Sequence, residues 1–289
     1  MSYDFSFHCD SHQIDGFNLS YLDSMDQNKP VLHFYHANGF PVSTYLPFLE
    51  RLTDSFRVIG LGQRGQDSQT SGNISWHKAG MDLIDFLNKK KLSKITGVGH
   101  SIGAVATMFA AARRPDLFSE LVLIDPVLLP YKYIAAMAFL RAIGKKGSFI
   151  LAKRARGRKS SWKNRNEAYE YFKSKALFKN FNDELLQSYV TYGLKDADSR
   201  GVTLLCPPEA EAKIFENYPL DLWLWPKKLQ TKTLVIKGEN SDVLFSGPLK
   251  RFLKKSRQFS SIVVKDAGHL VPMEKPDEIT DLIKTYIKH

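Results

Sequence analysis

The segment ITGVGHSIGAVATMFAAARRPDLFSELVLIDP, residues 95–126, constrains the fold more than any other part of the chain. An apolar run stops at His100, Ser101 sits between Gly99 and Gly103, and an alanine-rich run with helix-forming composition begins at Ile102. A second apolar run, ELVLIDP, follows it. Two strands joined through a helix are parallel neighbours, because only a crossover of that length returns the chain in the same direction. Taken alone, Gly-X-Ser-X-Gly is weak, since about one chain in ten of this size contains it by chance. Its setting gives it weight: with a strand before and a helix after, Ser101 is forced into a strained turn with positive φ, its hydroxyl pushed outward. Gly99 and Gly103 leave room for neighbouring backbone to pass that turn. The simpler alternative is a serine that merely caps a helix after a glycine turn.

The rest of the chain extends the alternation. FNLSYLDS alternates weakly, and VLHFYH and FRVIGLG are short apolar runs, the last followed by the polar loop GQRGQDSQTSGN. WHKAGMDLIDFLNKKKL carries Met81, Ile84 and Leu87 at helical spacing, with lysines at the end that suits the helix dipole. The pattern stops near Pro126 and resumes with TKTLVIKGENSD, a helix through PLKRFLKKS, the strand SSIVVKDAGH and a closing helix DEITDLIKTYIK. Between them, up to about Pro219, the sequence reads as helices and loops without a convincing buried strand. These runs predict an α/β fold with a parallel sheet, helices on both faces, and a helical insert.

Charge points to the same boundary. The chain has 289 residues and a formal net charge of +11. Of its 41 Lys and Arg, eleven lie in residues 126–166, where there is no Asp or Glu, and the remaining thirty equal the thirty acidic residues elsewhere. The excess therefore describes a basic insert, not a basic protein, and no nucleic-acid motif accompanies it. The stretch YIAAMAFLRAIGKKGSFILAKRARGRK mixes apolar helix positions with Lys153, Arg154, Arg156 and Arg158. That mixture suits a cap helix, apolar toward a pocket and cationic toward solvent, or weak association with an anionic membrane surface. Cys9 and Cys206 form no CxxC pair, so neither a disulfide framework nor a zinc site is indicated. MSYDFSFHCD lacks the charged-then-apolar pattern of a leader, and no apolar run reaches membrane-spanning length. A cytoplasmic protein is the expectation.

The candidate chemistry is nucleophilic. A serine hydroxyl needs a base, and His269, in the loop KDAGHLVPMEKP after the last strand, would hang over the sheet edge where all parallel strands end. His100 points away from such a turn, His33 is mid-strand, and His77 sits at an exposed helix start. The imidazole in turn needs an acid. Asp242 in VIKGENSDV, after the penultimate strand, is the preferred candidate; Asp125, which ends LVLI on the same edge, is the alternative. For charge developing on the attacked oxygen, the amide of Ile102 is one donor. The second comes from the loop HANGFPVSTY, with the Asn38 amide preferred over that of Phe40. Phe215, Trp223 and Trp225 either line an apolar pocket or pack the insert on the core.

With these pieces in order, the sequence resembles the α/β-hydrolase fold superfamily. The matching segments are HANGFP, GLGQRGQDSQT, GVGHSIGA, GENSDV and AGHLVPMEKPDEI, covering roughly residues 29–126 and 231 onward. The usual His-Gly of the oxyanion loop is replaced by His36-Ala37, and the serine nucleophile differs from the aspartate of related dehalogenases and epoxide hydrolases. The resemblance implies an eight-stranded, mostly parallel sheet with a helical cap inserted after the sixth strand. It divides the chain into a core, 1–126 and 222–289, and a cap, 127–221. A capped serine hydrolase of carboxylic esters is then expected, acting through an acyl-enzyme on a small, apolar acyl substrate without metal or organic cofactor. Thioesters, lactones or a C–C bond beside a carbonyl would use the same machinery. A non-catalytic binding or sensor protein is the alternative of a different class.

Overall fold

A computed structural model of the chain describes residues 7–65, 74–197 and 200–288. The opening of MSYDFSFHCD (residues 1–6) and part of the polar loop GQRGQDSQTSGN (66–73) lie outside the described residues. Before the insert run strands β1 (His8–Ile14), β2 (Phe17–Asp23), β3 (Val31–Tyr35), β4 (Arg57–Leu61), β5 (Ile95–His100) and β6 (Phe118–Ile124). Helices α1 (Leu46–Glu50), α2 (Trp76–Lys89) and α3 (Ile102–Arg113) connect them. The insert contains α4 (Tyr131–Ala142), α5 (Ile150–Arg156), β7 (Ser161–Trp162), α6 (Arg165–Lys173), α7 (Asp183–Tyr192), β8 (Leu194–Asp196), β9 (Val202–Leu204) and α8 (Pro208–Glu216). The chain closes with β10 (Lys232–Gly238), α9 (Ser246–Leu253), β11 (Phe259–Val264), α10 (Val271–Glu274) and α11 (Pro276–Ile287).

Eight strands form one sheet in the order β1-β2-β4-β3-β5-β6-β10-β11. From β4 to β11 all neighbours are parallel, whereas β1 and β2 form an antiparallel edge. Side-chain alternation divides each central strand between two cores. Ile95, Leu121, Leu123 and Val235 face the α2/α3 side, while Val98, Val122, Ile124, Leu234 and Ile236 face the side of α1 and α11. A sheet buried on both faces explains why these strands read as nearly continuous apolar runs.

Several local expectations need correction. β1 was invisible in the sequence because HCDSHQI is largely exposed and owes its place to antiparallel pairing with β2. On α2, Met81 is exposed; Leu83, Ile84, Phe86 and Leu87 form the buried face after Ser75 caps the helix by accepting from the Lys78 amide. The insert is not purely helical either: β7, β9 and β8 make a small antiparallel sheet. Those strands have two or three residues each, too short for a periodic signal. The insert shares its core with the main sheet, since Phe178 and Tyr189 pack on Phe40, on Phe172 and on each other. Among the described residues no helix is long and apolar enough to cross a membrane.

Candidate active site

Ser101 occupies the turn between β5 and α3 with φ 59° and ψ −117°. A non-glycine residue in that region is strained, and the surroundings hold it there. Its amide donates to Ile124 O at 2.9 Å, tying the turn to the end of β6. The flanking glycines are sterically required. A Cβ on Gly99 would lie 2.5 Å from Gly103 O, and one on Gly103 would lie 2.1 Å from Tyr35 O. Helix α3 can therefore start directly against β3 and β5, leaving the hydroxyl at the carboxyl edge of the sheet.

His269 reaches that hydroxyl from the loop after β11. Its Nε2 lies 2.9 Å from Ser101 Oγ, and its Nδ1 lies 2.6 Å from Asp125 Oδ2. With Nδ1–H donated to the carboxylate, Nε2 is left as the acceptor facing the serine. Backbone contacts fix the loop. A Cβ on Gly238, at the end of β10, would lie 2.0 Å from Gly268 O. Asn240 N donates to Ala267 O at 2.9 Å, and Gly268 N donates to the Glu274 carboxylate at 2.7 Å.

The acid beside His269 is Asp125, not Asp242. Asp125 is fully buried and receives Gly238 N at 3.1 Å and the Ser241 hydroxyl at 2.5 Å in addition to the imidazole. Asp242 is exposed one residue beyond Ser241. The reason is the turn after β10: Ser241 Oγ accepts the amides of Val243 and Leu244, both at 3.2 Å, which turns Ser241 inward and Asp242 outward. The readable signal was Asp125 itself, an acid ending a buried strand directly beside β5 and β10.

A second layer, missed in the sequence, joins the three loops. The Ala37 amide donates to Tyr45 Oη at 3.2 Å, Tyr45 Oη lies 2.7 Å from His100 Nδ1, and His100 Nε2 donates to His269 O at 2.9 Å. Burial, with the His269 ring nearby, pushes His100 down to about 3, so it stays neutral and keeps this one tautomer. The loop after β3, the serine turn and the His269 loop are thus linked through two buried side chains.

The loop after β3 is held by the insert. Asn38 Nδ2 donates to Glu211 O at 3.0 Å, and Tyr189 Oη donates to Gly39 O at 3.3 Å. The Glu211 carboxylate lies over Gly39 (φ 76°), where a Cβ would come within 3.1 Å of it. Arg158 donates to that carboxylate at 2.6 Å and to Tyr189 Oη at 3.0 Å. The Phe40 amide closes a turn onto Ala37 O at 3.3 Å.

The remaining residues singled out in the sequence lie elsewhere. His33 is wholly buried on β3, and His77 stacks on Phe109 with its Nε2 2.8 Å from Asp221, so it is not a bare helix start. Trp223 and Trp225 are buried packing residues: Trp223 donates to Leu129 O at 3.0 Å, and Trp225 packs on Phe109 under Arg113. Phe215 packs with Ala152, Ala155 and Ala212 inside the insert. A groove of about 650 Å³ lies at the opposite sheet edge near Phe118, Lys232 and Ser260. The chemistry, not cavity size, locates the candidate site.

A parallel sheet that offers a strained serine to a histidine and a buried carboxylate at its carboxyl edge defines one class, the α/β hydrolases. The sequence agrees with the geometry: the profile of the Alpha/beta hydrolase family matches residues 31–282, and the chain belongs to that family. Among its relatives, the 2-(acetamidomethylene)succinate hydrolase of Mesorhizobium japonicum is 24% identical over 261 residues, 89% of this chain and 88% of that protein. Esterase YbfF of Escherichia coli is 26% identical over 210 residues, 71% of this chain and 72% of that protein. The crystal structure of E-2-(acetamidomethylene)succinate hydrolase superposes with a TM-score of 0.82 at 21% identity, over 98% of this chain and 100% of that one.

Proposed function

We propose that this protein is a serine hydrolase that cleaves a carboxylic ester, or a closely related acyl bond, through an acyl-enzyme on Ser101. The observation that carries the reading is the continuous contact from Ser101 Oγ to His269 Nε2 and from His269 Nδ1 to the buried Asp125 carboxylate. Ser101 Oγ attacks the substrate carbonyl carbon while His269 Nε2 takes the hydroxyl proton. The Asp125 carboxylate stabilises the imidazolium that forms. The backbone amides of Ile102 and Asn38 receive the developing oxyanion; with Phe40 N–H turned onto Ala37 O, Asn38 is the better second donor. Collapse breaks the bond to the leaving oxygen, which takes the proton from His269. Water, deprotonated by the same nitrogen, then releases the acid and restores the serine.

In this reading the insert, residues 127–221, is a cap over the site. A cleft of about 10 Å³ lies beside Ile102, between Gln63 and Ile74 of the core and Ile214 of α8. Cys9 and Cys206 form no disulfide with each other, which suits a reducing, cytoplasmic setting.

The test is a panel of p-nitrophenyl esters of increasing acyl length with wild type and Ser101→Ala. Turnover should fall on the order of 10³-fold or more in the variant, and a fluorophosphonate should label Ser101. Retained cleavage by Ser101→Ala, or a native protein never labelled, would overturn the assignment.

A further inference from the structure

Helix α4 has an unusual outer face. At 3.6 residues per turn, the buried Ile134 and Met137 define the side turned to the protein. The opposite side carries Lys132, Ala135, Ala136 and Phe139, and Ile143 extends it at the C-terminal cap, all of them exposed. Phe139 is 64% exposed and Ile143 47%, and on α5 the outward Ile150 is 58% exposed. Tyr131 and Tyr133 stand exposed at the start of the same helix. A surface helix ordinarily turns polar residues to water; beyond Lys132 this one turns Ala135, Ala136, Phe139 and Ile143 outward.

Cations frame that face. Lys132, Lys145, Lys146, Lys153 and Arg154 are exposed, and none of them forms an ion pair among the described residues. Four further cations of the insert are ion-paired: Arg156 with Glu209 and Glu216, Arg158 with Glu211, Lys159 with Glu167, and Arg165 with Asp196. Arg156 and Arg158, which the sequence grouped with Lys153 and Arg154, therefore belong to the internal bracing of the insert. Five cations without an ion pair among the described residues, Lys132 lying over the Tyr133 ring, thus accompany exposed Phe, Ile and Tyr side chains along residues 131–154.

We propose that the α4–α5 face binds anionic lipid, seating the insert on a bilayer with Phe139, Ile143 and Ile150 at the acyl boundary. The lysines reach headgroups on long apolar stems, and Tyr131 and Tyr133 sit at the polar–apolar boundary. A second copy of the chain fits this face poorly, because a two-fold contact would press the same five cations against their equivalents. The inference does not depend on Ser101 chemistry.

The test is flotation of the whole protein with vesicles of phosphatidylcholine, alone or with about one-third phosphatidylglycerol. Binding is expected to the anionic vesicles only, weakening as salt is raised. Lys145→Glu/Lys146→Glu should weaken it by at least about fivefold per cation removed. Phe139→Ser/Ile143→Ser should weaken it roughly tenfold or more, because both apolar anchors are lost. Both variants change only exposed side chains and should cleave a soluble ester at the wild-type rate. No binding to anionic vesicles at low salt, or full binding by either variant, overturns the proposal. Dimerisation lost in the Phe139/Ile143 variant would assign the face to a second copy instead. A protein that cleaves soluble esters but ignores vesicles sinks only this inference; one that floats but is inert toward esters sinks only the hydrolase reading.

Discussion

The carboxylate of Asp125 has no exposed surface and three donors aimed at it: His269 Nδ1, the Ser241 hydroxyl and the Gly238 amide. A buried carboxylate held in this way orients the imidazole and stabilises its charged form, and neither role passes to an exposed neighbour. Asp125→Asn should therefore lower kcat for a soluble ester by on the order of 10³- to 10⁴-fold. Asp242→Asn should leave it unchanged, and steady-state rates of the two variants decide between them. The acid shows how far a local reading reaches. Ser101 and His269 were legible because a glycine-fenced serine and a loop histidine after the last strand each have local context. The choice between Asp125 and Asp242 had none, because it turns on which way one residue of the 238–244 turn faces. That direction is set by Ser241 bonding two amides beyond it.

Helices α7 and α8 and the bend just after α5 converge on the loop after β3 through Tyr189, Glu211 and Arg158. Burial opposes the Arg158 charge, but Tyr189 and Glu211 more than compensate and hold the guanidinium above its usual range. Glu211→Ala would leave that cation without its carboxylate in a largely enclosed position, costing about 3 kcal/mol of stability. Arg158→Met/Glu211→Leu removes both charges together and should recover most of the loss in urea melts. If the pair positions Asn38 and Gly39, kcat of the double variant stays about tenfold or more below wild type with KM less affected. Equal recovery of stability and kcat would reduce the pair to packing. None of these contacts was readable, because they join positions up to 173 residues apart. Elements with long periodic patterns, such as α2 and β5, were legible; β7, β8 and β9 were not, because strands of two or three residues have no period to detect.

Three fully buried histidines bear on the stability of the whole molecule. Burial is the largest cause in each case: it lowers His33 to about 3, His36 to about 4 and His100 to about 3, from an ordinary 6.5. Between those values and 6.5 the unfolded chain binds more protons than the folded one, so stability rises with pH across the window. It is fully present above about pH 6.5 and lost as pH falls toward 4, on the order of 2 kcal/mol per histidine by pH 5. Urea melts at pH 5.0 and 7.5 should show the difference. His33 isolates one contribution, since both its ring nitrogens lack partners among the described residues, between Tyr35 and Phe86. His33→Leu should keep or raise stability at pH 7.5 and flatten the acid slope. An unchanged slope would place the acid sensitivity elsewhere.

By itself the sequence determined the order of the main strands and helices, the place of the insert, the serine turn and the histidine loop. Each rests on interactions between near neighbours: apolar periodicity, glycine where backbones cross, and turn chemistry at strand ends. Tertiary structure alone decided that Asp125 meets His269, that Tyr45 and His100 tie three loops together, and that Arg156 and Arg158 pair with carboxylates of α8 while Lys132, Lys145, Lys146, Lys153 and Arg154 face out. Those outcomes depend on distances between side chains far apart along the chain, and only the packed sheet and insert fix such distances.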